Sequence, residues 1–242
     1  MFIARRRLIE SCVGVAATLS FCPSAFGQAL VLTKIPWKPI IEGVSALVTA
    51  VEIYFKLKGE QSSHEQTLAA PNGVETERMR RFCGVSLSDI RQIEMLITEL
   101  ALATNTFDYE AAVELGNGGL LPALVSFTTN RDAKSWRRVR NDASHFVQAA
   151  RALIIEATKR GGLINALDDD DRRRVLAQLN QALKAIDFAL EELHYDRRSP
   201  SKDDDGAAQE TLARLRALPE LLNRAKRLSN ETLESRAAAK CN

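Results

Sequence analysis

Apolar residues recur at intervals of three and four along most of the chain, and this spacing places side chains on one face of an α-helix. The pattern predicts five long helices, whose apolar stripes lie within residues 41–55, 90–100, 136–157, 176–193 and 212–228. Because the stripes follow the a and d positions of heptads, we expect an all-α fold, an antiparallel up-and-down helical bundle with long heptad-patterned helices. Residues 131–160 and 172–197 should form an antiparallel hairpin.

The residues that flank these stripes predict where the helices begin and end. Pro39 suits the first turn of the first helix, and Ser86 or Ser88 suits the N-cap of the second. Gly161-Gly162 fits the end of the third helix, and Pro219 predicts that the fifth is bent or restarted there. Shorter helices are expected at 107–115 and 120–128.

The first 27 residues have the pattern of an export signal peptide. Arg5–Arg7 form a positive segment, Cys12–Phe21 form a short apolar segment, and Ala25 and Gly27 are small residues at a cleavage site before Gln28. The apolar segment is shorter than the roughly 20 residues that span a bilayer. We therefore expect a periplasmic or secreted protein after cleavage near Gly27. A buried N-terminal helix or an uncleaved anchor would be the alternatives.

The remainder of the chain divides into three parts. We expect a helical bundle over 28–198, a flexible linker over 199–206, and a C-terminal helix over 207–242 that packs on the bundle. The linker segment reads Ser-Pro-Ser-Lys-Asp-Asp-Asp-Gly, a composition typical of loops.

Net charge and cysteine content depend on whether the signal peptide is removed. The chain of 242 residues has 33 basic and 31 acidic residues. The first 27 residues hold three of the arginines and one glutamate, so a mature chain would have 30 of each and no net charge. It would lack a global basic field that attracts nucleic acid or anionic lipid. Cys83 and Cys241 would remain, either paired in an oxidising compartment or as two free thiols.

Two motifs that suggest ligand binding have a simpler structural explanation. Asp168–Asp171 lacks the ligand spacing of a calcium loop and fits the N-cap and first turn of a helix. Gly116–Gly119 is followed by Leu-Leu-Pro, whereas a phosphate-binding P-loop needs Gly-Lys-Ser/Thr. The glycine segment is therefore expected to be a turn.

A metal centre is the next chemistry that the sequence suggests. Asp142/His145 and Glu191/His194 have the carboxylate-x-x-His spacing that di-iron bundles use. The predicted helix register separates the two histidines by roughly 10 Å along the helix axes, and both pairs flank the apolar seam. We therefore predict no metal and no cofactor.

Residues 140–145 read Arg-Asn-Asp-Ala-Ser-His, and this segment resembles the Arg-Asn-x-x-x-His signature of HEPN-type helical ribonucleases. In that family two protomers bring their Arg and His together across a dimer interface. The His acts in acid–base cleavage of RNA and the Arg stabilises phosphate charge. The resemblance, which covers six residues, implies that Arg140 and His145 are catalytic and that Asn141 supports them. The nearby cations that could hold phosphates are Arg131, Lys134, Arg137 and Arg138.

The function that the sequence favours is contact with other proteins. The leading hypothesis is an exported, non-enzymatic helical-bundle protein that binds a protein partner, or itself, in the bacterial envelope or outside the cell. Residues 40–55 have an apolar face wider than one neighbouring helix would cover, with Val48, Tyr54 and Phe55 as its candidate contact residues. The alternative is the ribonuclease, which the export signal disfavours. The zero net charge of a mature chain disfavours a membrane-surface module.

Overall fold

The structure is a computed structural model and describes residues 34–56, 73–104, 118–195 and 202–238. Within these ranges it is helical and contains no strand, which confirms the predicted all-α class. In chain order the helices are α1 Trp37–Lys56, α2 Gly73–Gly84, α3 Leu87–Thr104, α4 Leu120–Asn130, α5 Ala133–Thr158, α6 Asp169–Tyr195, α7 Lys202–Leu215 and α8 Leu218–Ala238. A short 3-10 helix, Leu163–Ala166, precedes α6. Among these helices, none is long and apolar enough to cross a membrane.

Some of the predictions concern residues outside the described ranges. The signal peptide, the short helix at 107–115 and Cys241 are among them. The helix predicted at 120–128 is described, and it is α4.

Helix α1 lies at the centre of the fold. It packs against α5, α6, α7 and α8. Val48, Tyr54 and Phe55, predicted as an exposed contact face, are buried, with 4% or less of each residue exposed. That face is therefore not available to a partner, because several helices of the same chain cover it. A helix that is apolar on most of its circumference needs several neighbouring helices to cover it, and here the same chain supplies them.

Side chains that cap the first turn decide where two of the helices begin. Ser86 Oγ accepts a hydrogen bond from the Asp89 backbone N–H at 3.1 Å, so Ser86 and not Ser88 is the N-cap of α3. Asp168 Oδ1 accepts from the Asp171 N–H at 2.8 Å and caps α6, as predicted from the acidic run. Each cap satisfies a backbone donor that has no partner within its helix.

Helices α5 and α6 follow each other in the chain and lie side by side. Arg140 Nη2 donates to the Leu193 carbonyl at 3.1 Å, and Arg151 Nε donates to Asp187 Oδ1 at 3.0 Å. The later position in α5 thus contacts the earlier position in α6, which is compatible with the predicted antiparallel hairpin. The connection contains Gly161 at φ 78°, a backbone conformation that glycine adopts without steric cost.

The close packing of α1 on α6 depends on a glycine in the middle of α1. A Cβ atom at Gly43 would overlap the Cβ of Ala182, which is itself fully buried on α6. Because only the Ala182 methyl group lies between the two backbones, the helices approach more closely here than larger residues would allow.

The C-terminal region becomes helical earlier than predicted. Residues 202–206, part of the predicted linker, form the start of α7. Acidic residues are favoured at the positive end of a helix, and Asp204 is buried there. The chain turns at 216–217 and restarts as α8 at Leu218, which confirms the break predicted near Pro219. α7 packs on α4 and α1, and α8 packs on α3 and α1.

Candidate functional site

Helix α5 begins with an anion at its N-cap and continues with cations. Asp132 Oδ1 accepts a hydrogen bond from the Ser135 backbone N–H at 2.7 Å. This bond, together with one from the Ser135 hydroxyl, lowers the pKa of Asp132. The exposed cations around this helix start are Arg131, Lys134, Arg137 and Arg138. The helix dipole favours the carboxylate at this end and disfavours the cations that follow it.

Arg131, in the turn between α4 and α5, is already engaged. Its backbone is left-handed, with φ 53°, a conformation that residues other than Gly, Asn and Asp rarely adopt. Its N–H donates to the Phe127 carbonyl at 2.8 Å and thereby ends α4. Its Nη2 lies 2.7 Å from Asp205 Oδ2 on α7. Arg131 therefore joins the corner between α4 and α5 to α7.

Arg138 is held from two sides. Its guanidinium lies against the backbone of Gly118, where a Cβ atom would overlap Nη2. Its Nε lies 3.7 Å from Asp142 Oδ2, one helical turn later, while 48% of the Arg138 side chain is exposed. The guanidinium thus has a defined position, and nearly half of the side chain remains exposed. A planar group positioned in this way loses less freedom when it binds a carboxylate or phosphate.

Asp142 is the buried partner of Arg138. The residue is 3% exposed, and its Oδ2 has no hydrogen-bond partner. Burial raises the pKa of Asp142, and the charges of Arg138 and His145 oppose that rise. The sequence suggested Asp142 only as a metal ligand beside His145. Its spacing of four residues from Arg138 was the signal that could have identified this ion pair.

The residues of the ribonuclease resemblance occupy different sides of α5 within one protomer. Arg140 is partly buried, with Nη2 bonded to the Leu193 carbonyl at 3.1 Å and with a buried Nε that has no hydrogen-bond partner. Asn141 and His145 are exposed. The five residues from Arg140 to His145 correspond to about 140° of rotation around the helix, so the two side chains point in different directions.

Tyr54, predicted as a contact residue, belongs to an internal aromatic cluster next to Cys83. Its hydroxyl donates to the Phe82 carbonyl at 2.9 Å, and its ring stacks on Phe82 with centroids 5.4 Å apart. Phe55 meets the Tyr54 ring edge-on at 5.6 Å. These contacts fix the end of α2 on α1. Cys83, the next residue, is disulfide-bonded.

A cavity of about 330 Å³ opens between the start of α1 and α7. The charged residues that line it include Glu210 and Arg214, which bond to each other at 2.8 Å. Trp37 also lines the cavity, and its Nε1 has no hydrogen-bond partner. That nitrogen is too deeply buried for a ligand in the cavity to reach, and the polar side chains that remain are Lys38, Thr211 and the paired Glu210 and Arg214.

Within the described ranges, no group of three or more His, Cys, Asp and Glu side chains is arranged to hold a metal ion. No protein-family model, curated protein sequence or solved structure matches the chain.

Proposed function

We propose that the protein is exported and acts, without catalysis, through protein–protein contacts in the bacterial envelope or outside the cell. The signal pattern of residues 1–27 supports export. Because α1 is covered by its own chain, the contacts with a partner or a second copy use the outer faces of the other helices. We expect no membrane span in the mature chain, and none of the described helices is long and apolar enough to form one.

The observation that carries this proposal is the disulfide at Cys83. Disulfides form and persist in oxidising compartments such as the periplasm and are rare in the cytosol. The signal pattern and the disulfide are independent features, one read from the N-terminal sequence and the other from the end of α2. Both support the same destination.

We also propose that the helices form an antiparallel up-and-down bundle with heptad packing. Consecutive helices α4 and α5 pack together, as do α5 and α6, and these are the contacts that such a topology requires. The most extensive packing is between helices that are not consecutive, α1 with α6 and α3 with α5 and α8, and it requires longer connections. The reverse order of contacts between α5 and α6 adds support.

The test of export is to express the full chain in a bacterium, fractionate the cells and measure the intact mass. We expect a chain that begins at Gln28 in the periplasm or the medium. A matched control carries Arg5→Gln, Arg6→Gln and Arg7→Gln, which removes the positive segment and should leave uncleaved protein in the cytoplasm. An intact Met1 on the unaltered chain, found in the cytoplasm, would contradict the proposal.

A ribonuclease is the second candidate, and the exposure of Asn141 and His145 beside the cations of α5 favours it. It predicts that Arg140→Ala and His145→Ala each abolish RNA cleavage or toxicity while helicity is retained. The contact proposal predicts that neither change affects RNA. Because Arg140 also bonds to Leu193, a thermal melt of each variant separates lost cleavage from lost stability.

A further inference from the structure

The start of α5 carries charges that this end of a helix does not favour. Lys134, Arg137 and Arg138 lie in its first two turns, at the positive end of the helix dipole. Lys134 and Arg138 are also a like-charged pair at i, i+4 spacing, which destabilises a helix. Neither Lys134 nor Arg137 forms an ion pair with any residue in the described ranges.

The start of α6 shows how the same chain neutralises arginines elsewhere. Each arginine there bonds to the aspartate three residues earlier: Arg172 to Asp169 at 2.6 Å, Arg173 to Asp170 at 2.9 Å, and Arg174 to Asp171. At the start of α5 the corresponding positions are basic, since Arg131 precedes Lys134 by three residues and Lys134 precedes Arg137 by three. Lys134 and Arg137 therefore have no aspartate three residues earlier, whereas Arg131 and Arg138 pair with the more distant Asp205 and Asp142.

Arg138 gives this charge a fixed geometry. The Gly118 backbone and the Asp142 carboxylate hold its guanidinium, and nearly half of the side chain faces solvent. The exposed part of this guanidinium can donate charge-assisted hydrogen bonds to a phosphate. Asp142 therefore acts as a positioning residue, and Gly118 provides the space that the guanidinium occupies.

We propose that Lys134, Arg137 and Arg138 form a binding site for a small multivalent phosphate anion of the pyrophosphate class. The three residues lie within about 100° of the helix circumference and about 6 Å of its length, so that one ligand can reach all three side chains. A bound anion would offset their mutual repulsion and interact favourably with the positive end of α5. The site goes beyond the proposed function and does not depend on export or on a protein partner.

Titration of the purified protein with pyrophosphate, by calorimetry at constant ionic strength, tests this site. We expect saturable binding that Arg138→Gln weakens about tenfold or more, because it removes a charge-assisted contact with the anion. Arg138→Lys keeps the charge but loses the planar guanidinium, so its affinity for pyrophosphate should lie between those of the unaltered protein and Arg138→Gln. The matched control is Arg173→Gln, which removes a similar exposed charge already bonded to Asp170 and should leave affinity unchanged.

Gly118→Ala tests the positioning of Arg138 without removing any charge. The new Cβ would overlap Nη2, the end of a flexible side chain, so the guanidinium must move while the fold is retained. We expect pyrophosphate affinity to fall about fivefold with unchanged helicity by circular dichroism. Gly206→Ala, where a Cβ meets open space, is the glycine control and should bind as the unaltered protein does.

Three results would overturn the proposal. One is an affinity of Arg138→Gln for pyrophosphate equal to that of the unaltered protein. Another is an equal loss in Arg138→Gln and Arg173→Gln, which would make the effect one of net charge alone. The third is binding of a short RNA oligonucleotide about a hundredfold more tightly than pyrophosphate. That result would mean that the cations bind a nucleic-acid polymer, and it would favour the ribonuclease.

Discussion

Single residues at the start of α5 have opposite effects on stability. Asp132 is ionised at the N-cap, where the Ser135 N–H and the helix dipole stabilise it. Asp142 is buried, and its Oδ2 has no hydrogen-bond partner. A buried charged group without full compensation costs free energy. The same carboxylate holds the partly exposed guanidinium of Arg138 in place. The position of Arg138 therefore depends on a group that lowers the stability of the fold.

Asp142→Asn should therefore raise the free energy of unfolding by about 1 kcal/mol at pH 7. Because burial raises the pKa of Asp142 in the folded protein, the folded state binds its proton more tightly than the unfolded state. The unfavourable contribution of the charged form is present at neutral pH and disappears as pH falls through the raised pKa towards the ordinary value. Urea denaturation of both proteins from pH 7 to pH 4 should show the difference shrinking as pH falls.

The control for this prediction is Asp170→Asn. Asp170 is almost fully exposed and pairs with Arg173 on the surface, so the change should alter stability by less than about 0.5 kcal/mol. If Asp142→Asn is as stable as the unaltered protein at every pH, Asp142 does not carry an uncompensated charge.

Ser86→Ala should lower the free energy of unfolding by about 1 kcal/mol, because the Asp89 N–H loses the side-chain oxygen that caps α3. Ser88→Ala is the matched control. Ser88 contacts Ser86 Oγ at 2.8 Å but does not cap the helix, and we expect a smaller change. Chemical denaturation of both variants distinguishes them, and equal losses would assign the cap to neither serine alone.

At the level of elements, α1 organises the fold because most of its circumference is apolar. Its contacts with α5, α6, α7 and α8 bury the residues that the sequence suggested for a partner. The sequence predicted the helix and the width of its apolar face. It could not decide whether the covering surface came from the same chain, because the periodicity of a helix does not identify its neighbours.

Gly43→Ala should destabilise the protein although alanine favours helix formation. The added methyl group overlaps Ala182, so α1 and α6 must separate or distort, at a cost of about 1 to 3 kcal/mol. Gly206→Ala, in the exposed first turns of α7, meets no neighbour and should stabilise the protein by up to about 1 kcal/mol. Thermal melts should thus shift in opposite directions. A stabilised Gly43→Ala would show that the helices are not in close contact at this position.

At the level of the whole molecule, the disulfide at Cys83 connects stability to compartment. Tyr54, Phe82 and Phe55 hold the end of α2 on α1 beside this cysteine. A disulfide stabilises a folded protein chiefly by restricting the unfolded chain. The protein should therefore be more stable in an oxidising compartment than in the cytosol.

Cys83→Ser should lower the free energy of unfolding by about 2 kcal/mol or more, the usual effect of losing a native disulfide. Dithiothreitol should lower the stability of the unaltered protein to that of the variant, and it should not change the stability of the variant. Denaturation curves with and without the reductant provide the measurement. Identical curves for the unaltered protein in the two conditions would mean that the disulfide does not contribute.

Local features of the sequence determined the class of fold and much of its segmentation. The apolar spacing of 41–55, 90–100, 136–157 and 176–193 predicted α1, α3, α5 and α6, and Asp168 and Pro219 marked a helix start and a restart. These features act over a few residues, so they can be recognised without knowing the neighbours. Under the ribonuclease resemblance, the sequence also suggested four cations near the start of α5 as phosphate ligands: Arg131, Lys134, Arg137 and Arg138.

Only the tertiary structure decided which of the arginines around α5 are already bonded to other parts of the chain. Arg131 is paired with Asp205, Arg140 is bonded to Leu193, and Arg138 is placed by Gly118. It also decided that Val48, Tyr54 and Phe55 lie inside the protein. These outcomes depend on residues distant in the chain that packing brings together. Helical periodicity specifies the face on which a residue lies, but not which element covers that face.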